Sequence, residues 1–239
     1  QKRVGVRGEV GVDHSDYGRI LFVDGGGECY NWCMEKIRTL VFDIGGIILD
    51  DTDVPLIKAL GCSKERMAEL LKMAFDGENW GKVMIGEYDH ERYMWERMAM
   101  YPEAERELEV ILSPHMHKIN LPLRQENVDF LKELYASGKY KMYWLSNMDG
   151  AEYDYLNEEG IIEMLDGGCF SNKEHSKKPW PEFYERLFER YDLKPEECWF
   201  FDDKERNIVA GEKLGMRGTV VPSLGVMKEV VQEVLMREV

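Results

Sequence analysis

Thr39-Leu40-Val41-Phe42-Asp43-Ile44-Gly45-Gly46-Ile47-Ile48-Leu49-Asp50 is a short apolar run that stops at a carboxylate, turns through two glycines and resumes as a second apolar run. A continuous apolar run of this length suits a strand buried on both faces of a parallel sheet. Such sheets hold their ligands outside the carboxyl ends of their strands, which is where the pattern places Asp43. Glycines at that point let the backbone turn sharply and come close to a ligand. Because apolar-run-Asp-Gly also marks ordinary turns, the weight of Asp43 depends on what ends the later strands.

Beyond Leu121, helix and strand signals alternate. Residues 127–137 have helical periodicity, and 141–145 form an apolar strand that ends at Ser146-Asn147. A helix over 151–156 precedes a short strand at 168–170. Lys177-Lys178-Pro179 then leads into a helix over 181–190. The run 197–201 is another buried strand, ending at Asp202-Asp203, and a helix (207–214), a strand (219–221) and a helix (227–236) follow. This alternation predicts an α/β fold: a doubly wound, Rossmann-like parallel sheet with right-handed crossovers.

Between Asp51 and Leu121 the strand signals stop. Residues 54–60, 64–74, 88–100 and 104–112 carry apolar side chains at three- and four-residue spacing, which predicts helices. Met67, Leu70, Leu71 and Ala74 make one stripe, and Tyr93, Met94, Trp95 and Met98 are assigned to another; helical packing explains both more simply than a cofactor box. The expected organisation is a core of residues 34–52 and 121–239 interrupted by an all-helical cap, 53–120. Residues 1–33 are glycine-rich and hold none of the chain's 14 methionines, so they are expected to be an extension preceding a domain that starts at Met34. Within them, Ile20-Leu21-Phe22-Val23-Asp24-Gly25-Gly26-Gly27 imitates the opening stretch but lacks its second apolar run.

The 239 residues suffice for a full core, and 44% hydrophobic with 32% charged is a globular composition. A net charge of −15 argues against a nucleic-acid or anionic-membrane surface. No apolar run approaches the ~20 residues of a membrane span, and Ile20-Leu21-Phe22-Val23 is too short for a secretory leader. Cys29, Cys33, Cys62, Cys169 and Cys198 are odd in number; Cys29 and Cys33 alone make half of a zinc site, so reduced thiols in a cytoplasmic protein are expected. His115 and His117, two apart, do not share a helix face and are expected to be a surface or loop pair.

Taken singly, the strand-end groups have ordinary explanations: Ser146 as a helix cap, Asn147 in a turn, Lys178 on a solvated loop, Asp202-Asp203 capping the next helix. Together they place an acid, a hydroxyl–amide pair, a lysine and a double acid, in that order, along one sheet edge. Converging carboxylates repel one another unless a cation lies between them, and hard oxygen ligands suit Mg²⁺. Asp43 would then attack phosphorus, Ser146 and Asn147 would donate to phosphoryl oxygens, and Lys178 would neutralise charge.

The set FDIGGIILD, LSN, KKP and FFDD resembles the four motifs of the haloacid dehalogenase superfamily, over roughly residues 34–221, and the helical insert resembles its C1-type cap. The first motif is most similar to the group containing α-glucose-1-phosphatase-like enzymes and the phosphatase domain of epoxide hydrolases. The resemblance implies a Mg²⁺-dependent phosphatase acting on a small phosphorylated metabolite such as a sugar phosphate, through an aspartyl-phosphate on Asp43. It implies substrate contacts from Ser146, Asn147 and Lys178, metal ligation by Asp43, the Gly45 carbonyl and Asp203, and support from Asp202 and Asn207. One position departs: superfamily phosphatases carry a second Asp two residues after the nucleophile as general acid and base, and here that residue is Gly45. By type alone Glu87, Asp89, His90 and His175 are candidate substitutes. The alternatives are a weak or inactive phosphate-binding protein of the same fold and a dehalogenase, whose chemistry needs no metal and for which the Asp202-Asp203 pair is a liability.

Overall fold

The computed structural model describes residues 37–237. The expectations for residues 1–33, including Cys29, Cys33 and the decoy stretch at Asp24, lie outside the described residues.

Five parallel strands form the sheet: β1 (Thr39–Phe42), β2 (Lys141–Ser146), β3 (Gly167–Phe170), β4 (Cys198–Asp202) and β5 (Arg217–Val220), in the order β3-β2-β1-β4-β5. The first of the described strands is therefore central. Leu40 pairs with Met142 on one side and Trp199 on the other, and Phe42 with Trp144 and Phe201. The strand order reverses between β1 and β4, which opens a crevice at their carboxyl ends.

Side-chain alternation along each strand divides the core between two faces. Leu40, Phe42, Trp144 and Phe201 pack on one face with Ile47, Ile48, Leu131 and Val231. Val41, Leu145 and Phe200 pack on the other with Phe183, Leu187 and Ile208. Helices thus cover both faces, as the doubly wound reading expects.

Between β1 and the Gln125–Ala136 helix that leads into β2, the insert is helical, with its longer helices at Asp53–Leu60, Lys64–Phe75, His90–Met100 and Glu105–Leu112. Their starts follow local chemistry: Thr52, Ser63 and Asp89 each turn a side-chain oxygen back onto a first-turn amide. Met67, Leu70, Ala74, Tyr93, Met98 and Leu108 form a separate apolar core for this insert. Trp95 does not join it and is 56% exposed; two residues on from Tyr93 it points about 200° around the helix.

The insert also touches the sheet layer away from its chain connections. Ser171 Oγ donates to the Met84 carbonyl at 2.6 Å, and His175 Nδ1 lies 2.9 Å from the Ile85 carbonyl. Among the described residues, no helix is long and apolar enough to cross a membrane.

Candidate active site

Asp43 follows β1, and its amide still bonds to the Phe201 carbonyl at 2.9 Å, so the strand pairing carries it to the crevice beside β4. Its side chain is buried, and three donors converge on one oxygen. The Ile44 amide (2.7 Å), the Ser146 hydroxyl (2.7 Å) and the Lys178 ammonium (2.9 Å) all reach Oδ1. Oδ2 takes no hydrogen bond from the described residues, and Asp43 lines a cavity of about 380 Å³. One oxygen is anchored and the other is left for chemistry.

Lys178 is 2% exposed and bridges Asp43 to Asp202, whose Oδ2 lies 2.6 Å from Nζ. Its backbone is clamped by Asn147: Nδ2 donates to the Lys178 carbonyl (3.0 Å) and Oδ1 accepts from the Lys178 amide (2.8 Å). The Asn147 side-chain amide is thereby engaged in holding the lysine, so of the two donors expected from Asn147, backbone or side chain, the backbone N–H is the one left for phosphate. Asp202 is fully buried and saturated, accepting from Lys178, the Lys204 amide (2.8 Å) and Asn207 Nδ2 (2.9 and 3.0 Å).

Asp203, one residue further, leaves the strand and is partly open. A carboxylate oxygen from each of Asp43, Asp202 and Asp203 falls within 4.8 Å of the others. Asp203 Oδ1 is buried without a hydrogen bond; its nearest cation is Lys204 Nζ at 3.4 Å. Gly46 makes room for this group. Its φ is +69°, and a β-carbon there would stand 2.7 Å from Asp203 Cγ.

Burial raises Asp43 above the ordinary carboxylate range; Lys178 opposes the rise and Asp202 adds to it. Burial also works to raise Asp202, but Lys178, the Lys204 amide and Asn207 outweigh it and hold this carboxyl low. Asp203 and Asp51 are raised by burial against the pull of Lys204. Four carboxyl groups thus face two ammonium groups, and the Asp203 oxygen that takes no hydrogen bond fits a divalent cation that would relieve the excess.

Residues 37–215 match the model of the haloacid dehalogenase-like hydrolases. The chain belongs to this family. An 89-residue stretch is 33% identical to the sesquiterpene phosphatase astK of Aspergillus oryzae, covering 37% of this chain and 45% of that protein, so the match spans less than half of the relative's length. A HAD family enzyme of Bacteroides thetaiotaomicron, in complex with magnesium and inorganic phosphate, superposes with a TM-score of 0.61 at 19% identity over 77% of this chain and 93% of that one. A predicted HAD-like hydrolase of Porphyromonas gingivalis gives 0.60 at 21%, over 83% and 98%. At these identities the structural likeness speaks for the fold.

In this HAD-like hydrolase, Gly45 lies on the cavity wall beside Asp43. Of the four substitutes considered for its missing carboxyl, only His90 lines the cavity. Glu87 and His175 are exposed, and Asp89 is an exposed helix cap bonded to the Arg92 amide. His90 pairs with Asp149 at 3.3 Å and reaches the Leu112 carbonyl at 2.7 Å. His117 is not a surface residue either; it is buried against Tyr155 and lines the same cavity, whereas His115 is exposed.

Asp51, Asp149, Glu152 and Lys204 also face the cavity and were not legible as site residues. Asp51 and Lys204 stand beside recognised positions, in the doublet Asp50-Asp51 and after Asp203. Asp149 reads as the helix cap it also is, accepting from the Ala151 and Glu152 amides. The residues of 53–120 that line the cavity are mostly apolar, Leu56, Leu71, Phe75, Trp80, Ile111 and Leu112 among them, with Asp53, His90, His117 and Asn120 beside them. Cys169 and Cys198 are buried free thiols pushed up to about 12 by burial, which leaves them unreactive.

Proposed function

We propose that this chain is a Mg²⁺-dependent phosphomonoesterase in which Asp43 is the nucleophile. The observation that carries the reading is the asymmetry of Asp43, a cavity-lining residue: Oδ1 is fixed by Ser146, Lys178 and the Ile44 amide, while Oδ2 takes no hydrogen bond from the described residues. Oδ2 attacks phosphorus and the ester leaves, giving an aspartyl-phosphate that water then hydrolyses. Lys178 neutralises charge on both carboxylates and on the phosphoryl group. Ser146 orients Asp43, and Asn147 and Asn207 hold Lys178 and Asp202 in place. Asp43 and Asp203 would hold the cation, with Asp202 behind them; a cation held there would screen charge on the carboxylates and on the phosphoryl group.

Residues 53–120 act as a cap over the site, and their apolar wall favours an ester with a substantial apolar body over a bare sugar phosphate. The Aspergillus oryzae relative is a sesquiterpene phosphatase, which supports that preference. A second reading, a protein that binds phosphate with little turnover, is favoured by Gly45 alone. The acid pair Asp202-Asp203 opposes a dehalogenase.

Hydrolysis of an aryl phosphate, hexose phosphates and an isoprenoid alcohol phosphate, with and without Mg²⁺, tests the proposal. Expected is Mg²⁺-dependent release of phosphate that falls to background in Asp43→Asn. A wild-type protein no faster than that variant on every ester rejects it.

A further inference from the structure

With Asp43 as phosphoryl acceptor, the ester oxygen still needs a proton donor, and any role for such a donor rests on that reading of Asp43. The family pattern puts the donor at residue 45, where this chain has glycine. A β-carbon built on Gly45 would stand 2.9 Å from Oδ2 and 3.6 Å from Cγ of Asp51. The space that a side chain at 45 would enter already holds a carboxyl group. Gly45 is not among the glycines with positive φ, so its backbone does not require glycine; what a side chain there would meet is the carboxyl end of Asp51.

Asp51 reaches this place because the chain folds back after Gly46. The amides of Ile47, Ile48 and Leu49 bond to the Ile44 carbonyl, and the Asp50 amide bonds to the Pro122 carbonyl at 3.0 Å. Asp43, Gly45 and Asp51 line one cavity. Lys204 Nζ lies 3.9 Å from Asp51 Oδ2; Asp50, Asp203 and Glu152 are the other charged neighbours.

We propose that Asp51 is the general acid and base of this chain, its carboxyl supplying from the returning turn what residue 45 lacks. In the first step Asp43 Oδ2 bonds to phosphorus and the phosphorus–ester oxygen bond breaks. The departing oxygen keeps that electron pair, takes the proton of Asp51 and leaves as the alcohol. In the second step water bonds to phosphorus and gives a proton to the Asp51 carboxylate. The phosphorus–Asp43 bond breaks, inorganic phosphate leaves, and Asp51 is protonated again.

Leaving-group dependence tests this. D51N, E152Q, D51G and G45D/D51G are assayed with Mg²⁺ on an aryl phosphate, whose leaving group needs little protonation, and on an alkyl phosphate, and are compared by kcat/KM, from which the shared hydrolysis of the aspartyl-phosphate drops out. D51N loses about 100- to 10,000-fold on the alkyl ester and roughly tenfold at most on the aryl ester. E152Q, altering another cavity carboxyl, changes both esters alike. G45D/D51G recovers at least about tenfold over D51G on the alkyl ester, because the carboxyl returns to the same space from the other side. Thermal melting establishes that each variant is folded. Equal loss on both esters in D51N, a leaving-group-dependent loss in E152Q instead, or a folded double variant that recovers nothing overturns the proposal. Wild-type hydrolysis of the aryl ester with D51N unimpaired on the alkyl ester overturns the role of Asp51 alone. A wild type no better than D43N on both esters overturns the phosphatase reading and this inference with it.

Discussion

Lys178→Met retains a stem of similar length and removes the ammonium that holds two buried carboxylates together. In the folded protein that ammonium lies 2.9 Å from Asp43 and 2.6 Å from Asp202, and the three side chains are 1%, 6% and 0% exposed. Removing one partner of a buried pair costs about 3–5 kcal/mol, because the remaining charge stays desolvated. A domain of this size loses roughly 2–4 °C of Tm per kcal/mol, so the midpoint falls by roughly 6–20 °C at pH 8 in the presence of chelator.

The pH dependence separates this electrostatic loss from simple mispacking. Burial works to raise Asp202, and Lys178 is the strongest group opposing it, leaving the carboxyl depressed. A depressed carboxyl contributes stability above its unfolded pKa and loses it as pH falls through the folded value. Without the lysine the sign reverses: burial favours the protonated acids, so the variant regains stability relative to wild type between pH 8 and pH 5. Thermal melts at those two pH values, with Lys178→Met/Asp202→Asn recovering more than half of the loss, provide the assay. A Tm loss at pH 8 below about 2 °C, or an equal loss at both pH values, refutes the reasoning.

Gly46→Ala puts a β-carbon at positive φ against Asp203, which should cost about 1–2 kcal/mol in the backbone alone and weaken Mg²⁺-induced thermal stabilisation more than it lowers the melt in chelator. Asn147→Asp turns an acceptor toward the Lys178 carbonyl and should reduce activity more than Asn147→Ser, read from kcat at saturating ester. Burial works to lower His90, but Asp149 overrides it and raises the imidazole; the stability from this pair is present below the ordinary histidine pKa and is lost as pH rises through the raised value. Urea melts should therefore show His90→Gln less stable by about 1.5–3 kcal/mol at pH 5.5, with the gap closing above pH 8. A β-carbon at Gly86, where φ is +70°, would collide with the Asn172 carbonyl, so Gly86→Ala should speed proteolysis within residues 53–120 while the sheet stays protected.

The sheet was legible because three of its strands are apolar runs that each end in a polar residue at the same edge. Asp43, Ser146 and Asp202 follow from that pattern, and Lys178 from the order in which it appears. The 3₁₀ and single-turn helices, such as Trp80–Val83 and Ser171–Glu174, are too short to show a period. β5 begins at Arg217, two residues before the apolar run, because pairing with Trp199 fixes its start. Asp51, Lys204 and Asp149 were hidden for a different reason. Each is an ordinary turn or cap residue in sequence, and only the fold-back after Gly46 and the docking of the Gly150–Glu158 helix turn them to one cavity. The fate of the Asn147 amide was equally hidden, since a side chain that can face phosphate or a backbone has no sequence mark for the choice.

The strand order has a consequence for how the chain is made. β1 emerges during synthesis before the four strands beside it in the sheet, yet it lies at their centre, and its β4-facing edge has no partner until Cys198–Asp202 has followed. Until then the nascent protein presents an apolar ribbon with unsatisfied amides, the kind of edge that recruits other chains. Lys178 finds its first carboxylate, Asp43, already made, but gains the second, Asp202, only with β4. Truncations that stop short of β4 should therefore aggregate as well as fail to act, and the late arrival of a single strand closes the ribbon and completes the buried charge cluster at once.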